Sequence, residues 1–126
     1  MKIFPQNEGG LVEQKRYKLT YTLKKVSGEL ITIGSHNQSF TNNNIKISQN
    51  GNTINGKSSY ITVEDNTTPY YVEITGTFFK NEDDSNPTLF IQPNRGSDID
   101  VTCEITDIKL YEYNYKTSAS DTTFYL

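Results

Sequence analysis

The stretch Tyr17-Lys18-Leu19-Thr20-Tyr21-Thr22-Leu23-Lys24 decides the fold class. Tyr17, Leu19, Tyr21 and Leu23 fall on one side of an extended chain, and Lys18, Thr20, Thr22 and Lys24 on the other. An apolar residue at every second position describes a strand with one buried face and one wet face. The same period returns in Tyr70-Tyr71-Val72-Glu73-Ile74-Thr75-Gly76-Thr77-Phe78-Phe79, where Tyr70, Val72, Ile74, Gly76 and Phe78 share a face. It returns again through Ile99, Val101, Cys103 and Ile105, then shifts phase to Ile108 and Leu110. That shift at Thr106-Asp107 predicts a β-bulge, one extra residue that brings the later side chains back to the first face.

Shorter signals fill the intervals. Ser27-Gly28 turns the chain into a short strand over residues 29–33, which reads as a hairpin with the strand before it. Residues 35–44 are polar and Asn-rich, a loop around a short pairing near residues 39–41, and Ile45-Lys46-Ile47-Ser48 alternates. Asn50-Gly51 is a two-residue hairpin signal, because both central residues of a type I′ turn take positive φ. Asn55-Gly56 repeats it five residues on, so one of the two belongs to a longer loop or a bulge. Residues 59–63 and Leu89-Phe90-Ile91 read as strands, and Pro93-Asn94-Arg95-Gly96 as a turn. About eight short strands with no helix-length pattern predict an all-β antiparallel sandwich or barrel.

Composition agrees. The 126 residues include 16 Thr, 13 Asn, 10 Ser and 9 Tyr, but one Ala and no Trp. Ala is the best helix former, whereas Thr, Ile and Tyr favour strands. The length fits one domain, divided here into an N-terminal arm over residues 1–14, a β-sandwich over 15–115 and a polar C-terminal tail over 116–126. A net charge of −3 speaks against nucleic acid as a partner, since phosphate binding needs a basic footprint. The densest basic run, Lys15-Arg16-Tyr17-Lys18, reads as a solvated strand edge. The N-terminal residues hold no apolar signal core, and no apolar run is long enough to span a membrane. A chain made and folded in a cytoplasm, without a membrane partner, is the expectation. Cys103, the single cysteine, cannot form an internal disulfide and reads as a small buried hydrophobe.

Motifs that could carry catalysis or bind a cofactor fail on context. Gly51-Asn52-Thr53-Ile54-Asn55-Gly56-Lys57-Ser58 fits the phosphate-loop pattern letter for letter. That loop works between a buried strand and a helix N-terminus, and here Tyr60-Ile61-Thr62-Val63 follows, which is strand-forming. His36 is the only histidine and Cys103 the only cysteine, so neither a zinc site nor a triad assembles. Glu82-Asp83-Asp84-Ser85-Asn86 offers oxygen ligands but lacks the spacing of a calcium loop, and reads as a hairpin turn. The expectation is a protein that is not an enzyme and uses no cofactor or metal.

Tyrosine is the remaining candidate. Tyr17, Tyr21 and Tyr70 fall on apolar faces and read as core, while Tyr60, Tyr71, Tyr111, Tyr113 and Tyr115 include those that reach solvent. Exposed tyrosine among amides is what a sugar site uses, with a flat ring for the sugar face and amides for its hydroxyls. The same residues equally suit a protein–protein contact. Tyr60, Tyr71 and Tyr113, with Asn94 and Arg95 nearby, form the candidate contact set.

Several of these segments together resemble carbohydrate-binding-module-like jelly rolls. The residues concerned are Leu11-Val12-Glu13-Gln14-Lys15-Arg16-Tyr17 leading into the alternating strand, Ser27-Gly28 with its short strand, Tyr70 to Phe78, Leu89-Phe90-Ile91, and Ile105-Thr106-Asp107-Ile108-Lys109-Leu110. The resemblance implies a jelly-roll β-sandwich, of a kind also found in tailed-phage virion proteins as capsid decoration, head-fibre and tail modules. It implies two functions: glycan recognition, or attachment within a virion. The absence of Trp weighs toward attachment. The expected function is an accessory capsid or fibre component that docks on other virion proteins through its arms, with Phe124, Tyr125 and Leu126 as assembly contacts. The alternative is a module binding cell-surface or polysaccharide glycans.

Overall fold

A computed structural model describes residues 2–3, 15–34, 40–56, 60–78, 89–95, 97–113 and 122–124, and the side chains of all of these except 2–3, 40–43, 78, 89–90, 113 and 122–124. The strands are β1 (Lys2–Ile3), β2 (Arg16–Gly28), β3 (Thr32–Gly34), β4 (Phe40–Gln49), β5 (Asn52–Gly56), β6 (Tyr60–Thr62), β7 (Tyr70–Phe78), β8 (Leu89–Phe90), β9 (Val101–Tyr113) and β10 (Thr122–Phe124). All pairings are antiparallel, and no helix occurs among the described residues. The protein is an all-β sandwich.

One layer is a sheet in the order β10-β9-β2-β7-β4-β5. Its registers line the alternating positions into rows. Leu110, Leu19, Ile74 and Ile45 run across four strands, and Tyr21, Val72 and Ile47 across three. These residues are at most 1% exposed. Burying such side chains contributes roughly 1.5–3 kcal/mol each. The second layer pairs β3 with β6, and β1 with β8. The chain just after β8 also hydrogen-bonds to β3, Gln92 N–H to the Gly34 carbonyl at 3.0 Å and Asn94 N–H to the Thr32 carbonyl at 2.9 Å. Leu30, Ile33 and Ile91 of this layer close one core with the large sheet, and Ile61 and Val63 pack against it.

The bulge lies where the phase shift puts it. Thr20 stands opposite Lys109 and Thr22 opposite Thr106, so Tyr21 faces two residues, Asp107 and Ile108. Asp107 takes φ 53°, and Ile108 and Leu110 thereby turn to the core like Ile105 before them. Asn50-Gly51 makes the expected turn, at φ 51° and 78°, with Gln49 paired to Asn52. Asn55-Gly56 makes no turn and stays in β5 opposite Lys46 and Ile45.

The expected hairpin between β2 and residues 29–33 does not form. Gly28, at φ 81°, ends β2 beside Asp100, and the chain crosses to the other layer, where β3 pairs with β6. Leu30 and Ile33 are apolar and can reach the core from that side, which a hairpin extending β2 would deny them. In the terminal segments, Lys2–Ile3 pairs with β8, and Thr122–Phe124 pairs with β9.

The crossing makes Gly28 irreplaceable. A Cβ there would lie 2.4 Å from the Asp100 carbonyl oxygen, whereas one on Gly51 would meet nothing within 4 Å. Both positions have positive φ, which costs a non-glycine residue about 1–2 kcal/mol. Gly28→Ala is expected to lose about 3 kcal/mol or more in urea unfolding, and Gly51→Ala only about 1 kcal/mol. Equal losses would contradict the crowding at Gly28.

Candidate functional site

The sandwich presents two outer faces, and the candidate residues divide between them. On the small layer, β6 alternates Tyr60 and Thr62 outward with Ile61 inward. The turn over residues 93–95 brings the Arg95 guanidinium over the Tyr60 ring, 5.8 Å from its centroid. Tyr60 is 41% exposed, so ring and cation form a small surface patch that can stack on a flat or anionic group.

Asn94, expected beside them on the surface, is instead buried and 5% exposed. Its Oδ1 accepts from Ile31 N–H at 2.7 Å and Thr32 N–H at 3.3 Å. Its Nδ2 donates to the carbonyls of Glu29 at 2.6 Å and Ile99 at 3.0 Å. Every polar atom of the amide is thereby taken by backbone, and Asn94 ties the crossing after β2 to the crossing before β9. Its φ of 57° sends its side chain inward while Arg95 stays partly exposed.

The large sheet's outer face carries the other patch. Tyr71, 43% exposed, donates its hydroxyl to Glu73 Oε1 at 3.1 Å, and also hydrogen-bonds with Thr20. Partial burial, and then the negative charge of Glu73, push the Tyr71 phenol above its ordinary value. Lys18 Nζ lies 5.1 Å from the Tyr111 ring centroid. Thr20 stands on β2 between the strands that carry Tyr71 and Tyr111, and is 3% exposed although its face is the solvent face. Alongside lies a hollow of about 350 Å³, lined by Asn44, Lys46, Asn55, Glu73 and Thr75. A ring, a carboxylate, an ammonium and two amides thus converge within one patch. Tyr113 is placed by its backbone, opposite Arg16 on one side and Thr122 on the other.

A third feature lies at the sandwich's edge. Ile54 of β5 stands opposite the buried Ile47, yet is 47% exposed. It borders a cleft of about 440 Å³ together with Ile47, Val63, Tyr70, Gln49 and Glu64. The Tyr70 hydroxyl donates to the Glu64 carbonyl at 2.6 Å and receives Asn66 Nδ2 at 3.2 Å, which fixes the cleft's wall.

Among the described residues, no group of three or more His, Cys, Asp and Glu converges as a metal site. Cys103 is half-buried against the core, and burial raises its thiol's pKa, which disfavours the reactive thiolate. In the phosphate-loop lookalike, Gly51 belongs to a hairpin turn and Asn52–Gly56 to β5. Phe124 is placed by backbone pairing with Tyr111; Tyr125 and Leu126, like His36 and the acidic turn at residues 82–86, lie outside the described residues. Glu73, Lys46 and Ile54 were not among the residues selected from sequence. A lone Ile within an Asn-rich hairpin was the one signal that could have marked Ile54.

Comparison of the chain with known protein families, with curated proteins and with solved structures finds no match.

The contrast between Asn94 and its neighbours is testable. Asn94→Gly keeps the positive φ and removes only the amide, leaving backbone groups unpaired at about 1–3 kcal/mol apiece. Denaturant unfolding should show a loss of about 3 kcal/mol or more for Asn94→Gly, and under about 1 kcal/mol for Tyr60→Ala or Arg95→Ala. A loss below about 1 kcal/mol for Asn94→Gly would remove the bracing role.

Proposed function

We propose that the protein is a non-enzymatic structural component of a virion, an accessory capsid, decoration or fibre protein that attaches through its terminal segments to a multivalent assembly. The carrying observation is where the chain ends sit. The described core lies wholly between Tyr17 and Leu110, while β1 and β10 add two and three residues at the margins of the sheets. Short strands at a sheet margin can exchange one partner strand for another within an assembly. In a repeating lattice, many weak terminal contacts sum to stable attachment. The carbohydrate-binding-module-like jelly roll belongs to this proposal as the architecture such attachment proteins use. In this reading Phe124, Tyr125 and Leu126 make the docking contact, and the polar faces keep the particle's surface wet.

A second reading rests on the patch around Tyr71. A partly exposed phenol beside a hollow of amides, a carboxylate and an ammonium is the chemistry that holds a sugar ring and its hydroxyls. The two readings are compatible if an attached protein also meets host glycans.

Removing residues 118–126 separates attachment from folding. The truncated chain should unfold within about 4 °C of the full chain, because among the described residues only the short β10 is lost. It should no longer enter particles assembled with the other virion proteins. Unchanged incorporation would overturn the docking role. Full-length protein on a glycan array reports on the second reading: hits lost in Tyr71→Ala support it, and no hits oppose it.

A further inference from the structure

The large sheet has two margins, and they are built differently. At one margin, β9 carries Glu104, Asp107 and Lys109, bends at the Asp107 bulge, and is capped over Tyr111–Tyr113 by β10. Charges, bulges and short covering strands are the devices by which sheets keep a margin from pairing with other chains. At the other margin, β5 has none of them. From Asn50 to Gly56 there is no charged residue and no proline, and the first charge is Lys57 beyond the strand. Among the described residues, no strand pairs with β5 on the side away from β4. Ile54, on the core side of the sheet, is left half exposed over the 440 Å³ cleft.

The register shows what the free margin offers. A two-residue turn at Asn50-Gly51 makes Gln49 and Asn52 a hydrogen-bonded pair, and hydrogen-bonded pairs then alternate along the ladder. Asn52, Ile54 and Gly56 spend their backbone groups on β4. The N–H and C=O of Thr53 and Asn55 point outward.

We propose that β5 is a self-association edge, at which a second copy of this chain adds its own β5 antiparallel across a two-fold axis centred on Ile54. In that register Thr53 of each copy faces Asn55 of the other, so every outward backbone group finds a partner. Ile54 faces its counterpart in the close, non-hydrogen-bonded position, and both lie on the same side of the joined sheet. The two clefts meet there, and each Ile54 gains the apolar cover it lacks in one copy. An uncharged strand has no like-charge penalty against itself, which suits a second copy better than a charged partner. The contact is small, a five-residue strand per copy, so the dimer is weak in isolation, with a dissociation constant of about 10⁻⁴ M. It becomes effective where many copies are held together. The inference stands on the chemistry of the edge and holds with or without the attachment reading above.

Sedimentation of the full chain from about 10 µM to about 1 mM tests it. The wild type should pass from monomer to dimer across that range. Ile54→Lys, and independently Thr53→Pro, which removes an outward N–H along with the exposed Thr53–Ser48 hydroxyl contact, should each weaken the dimer at least about ten-fold. Thr53→Ala, which removes that contact and keeps the N–H, should not. In a Cys103→Ser background, Ile54→Cys should cross-link on mild oxidation, since the expected Cα separation of about 4.5 Å accepts a disulfide. Lys109→Cys, at the guarded margin, should not. A chain that stays monomeric throughout overturns the proposal. So does a dimer insensitive to both edge variants, or cross-linking at residue 109 as fast as at 54.

Discussion

The structure depends on how the chain is held where it leaves one layer for the other. Three crossings meet at one end of the sandwich: residues 29–31 after β2, residues 63–69 before β7, and residues 94–100 before β9. Backbone that crosses between layers has no ladder to satisfy it, and unpaired groups near a core are costly. Side chains supply the missing partners. Asn94 takes Ile31 and Thr32 N–H and the Glu29 and Ile99 carbonyls. Asp65 Oδ1 takes Leu30 N–H at 3.0 Å and Lys25 Nζ at 2.6 Å, and those bonds hold its carboxyl below the usual range. Gln49 and Asn66 bind each other, and Gln49 also reaches the Thr68 carbonyl, fastening the second crossing to β4. These few amides and one carboxylate hold the crossings where β3 and β6 come over the large sheet and close the core rows.

With the layers joined at that end, the remaining surface sorts itself by exposure and charge. The small layer carries the Tyr60–Arg95 pair, and the large sheet carries Tyr71, Glu73 and the Lys18–Tyr111 stack. The two margins of the large sheet differ in charge, and β10 adds to the margin formed by β9. A sandwich with one guarded edge and one edge that no described strand covers is suited to being placed among copies of itself. That is the physical content of the proposed attachment role.

Much of this was legible in the sequence, for reasons that can be named. Alternation is local, so the inward positions of β2, β7 and β9 follow from residue order alone, including the bulge at Asp107. Asn50-Gly51 names its own partner strands, because a two-residue turn leaves no choice of register. Pairing over long separations leaves no such mark. Nothing in the order of residues says that β2 lies between β7 and β9, and the mistaken hairpin after Gly28 came from preferring the nearest partner. Asn94 misled for a related reason. A Pro-Asn-Arg-Gly turn announces positive φ, but not that the amide then points inward to backbone more than sixty residues away. Asn94 and Asn66 show that asparagine here braces crossings as well as making turns.

The central claim is that the crossing after β2 is clamped as firmly as a strand. Native-state hydrogen exchange at the Leu30, Ile31 and Thr32 amides tests this directly, because these amides donate to Asp65 and Asn94. Under the account they open only with the core, with protection matching that of Leu19 and Tyr21 in β2. Exchange at loop rates, with the β2 amides still protected, would show that the layers are held together without the clamp and would contradict it.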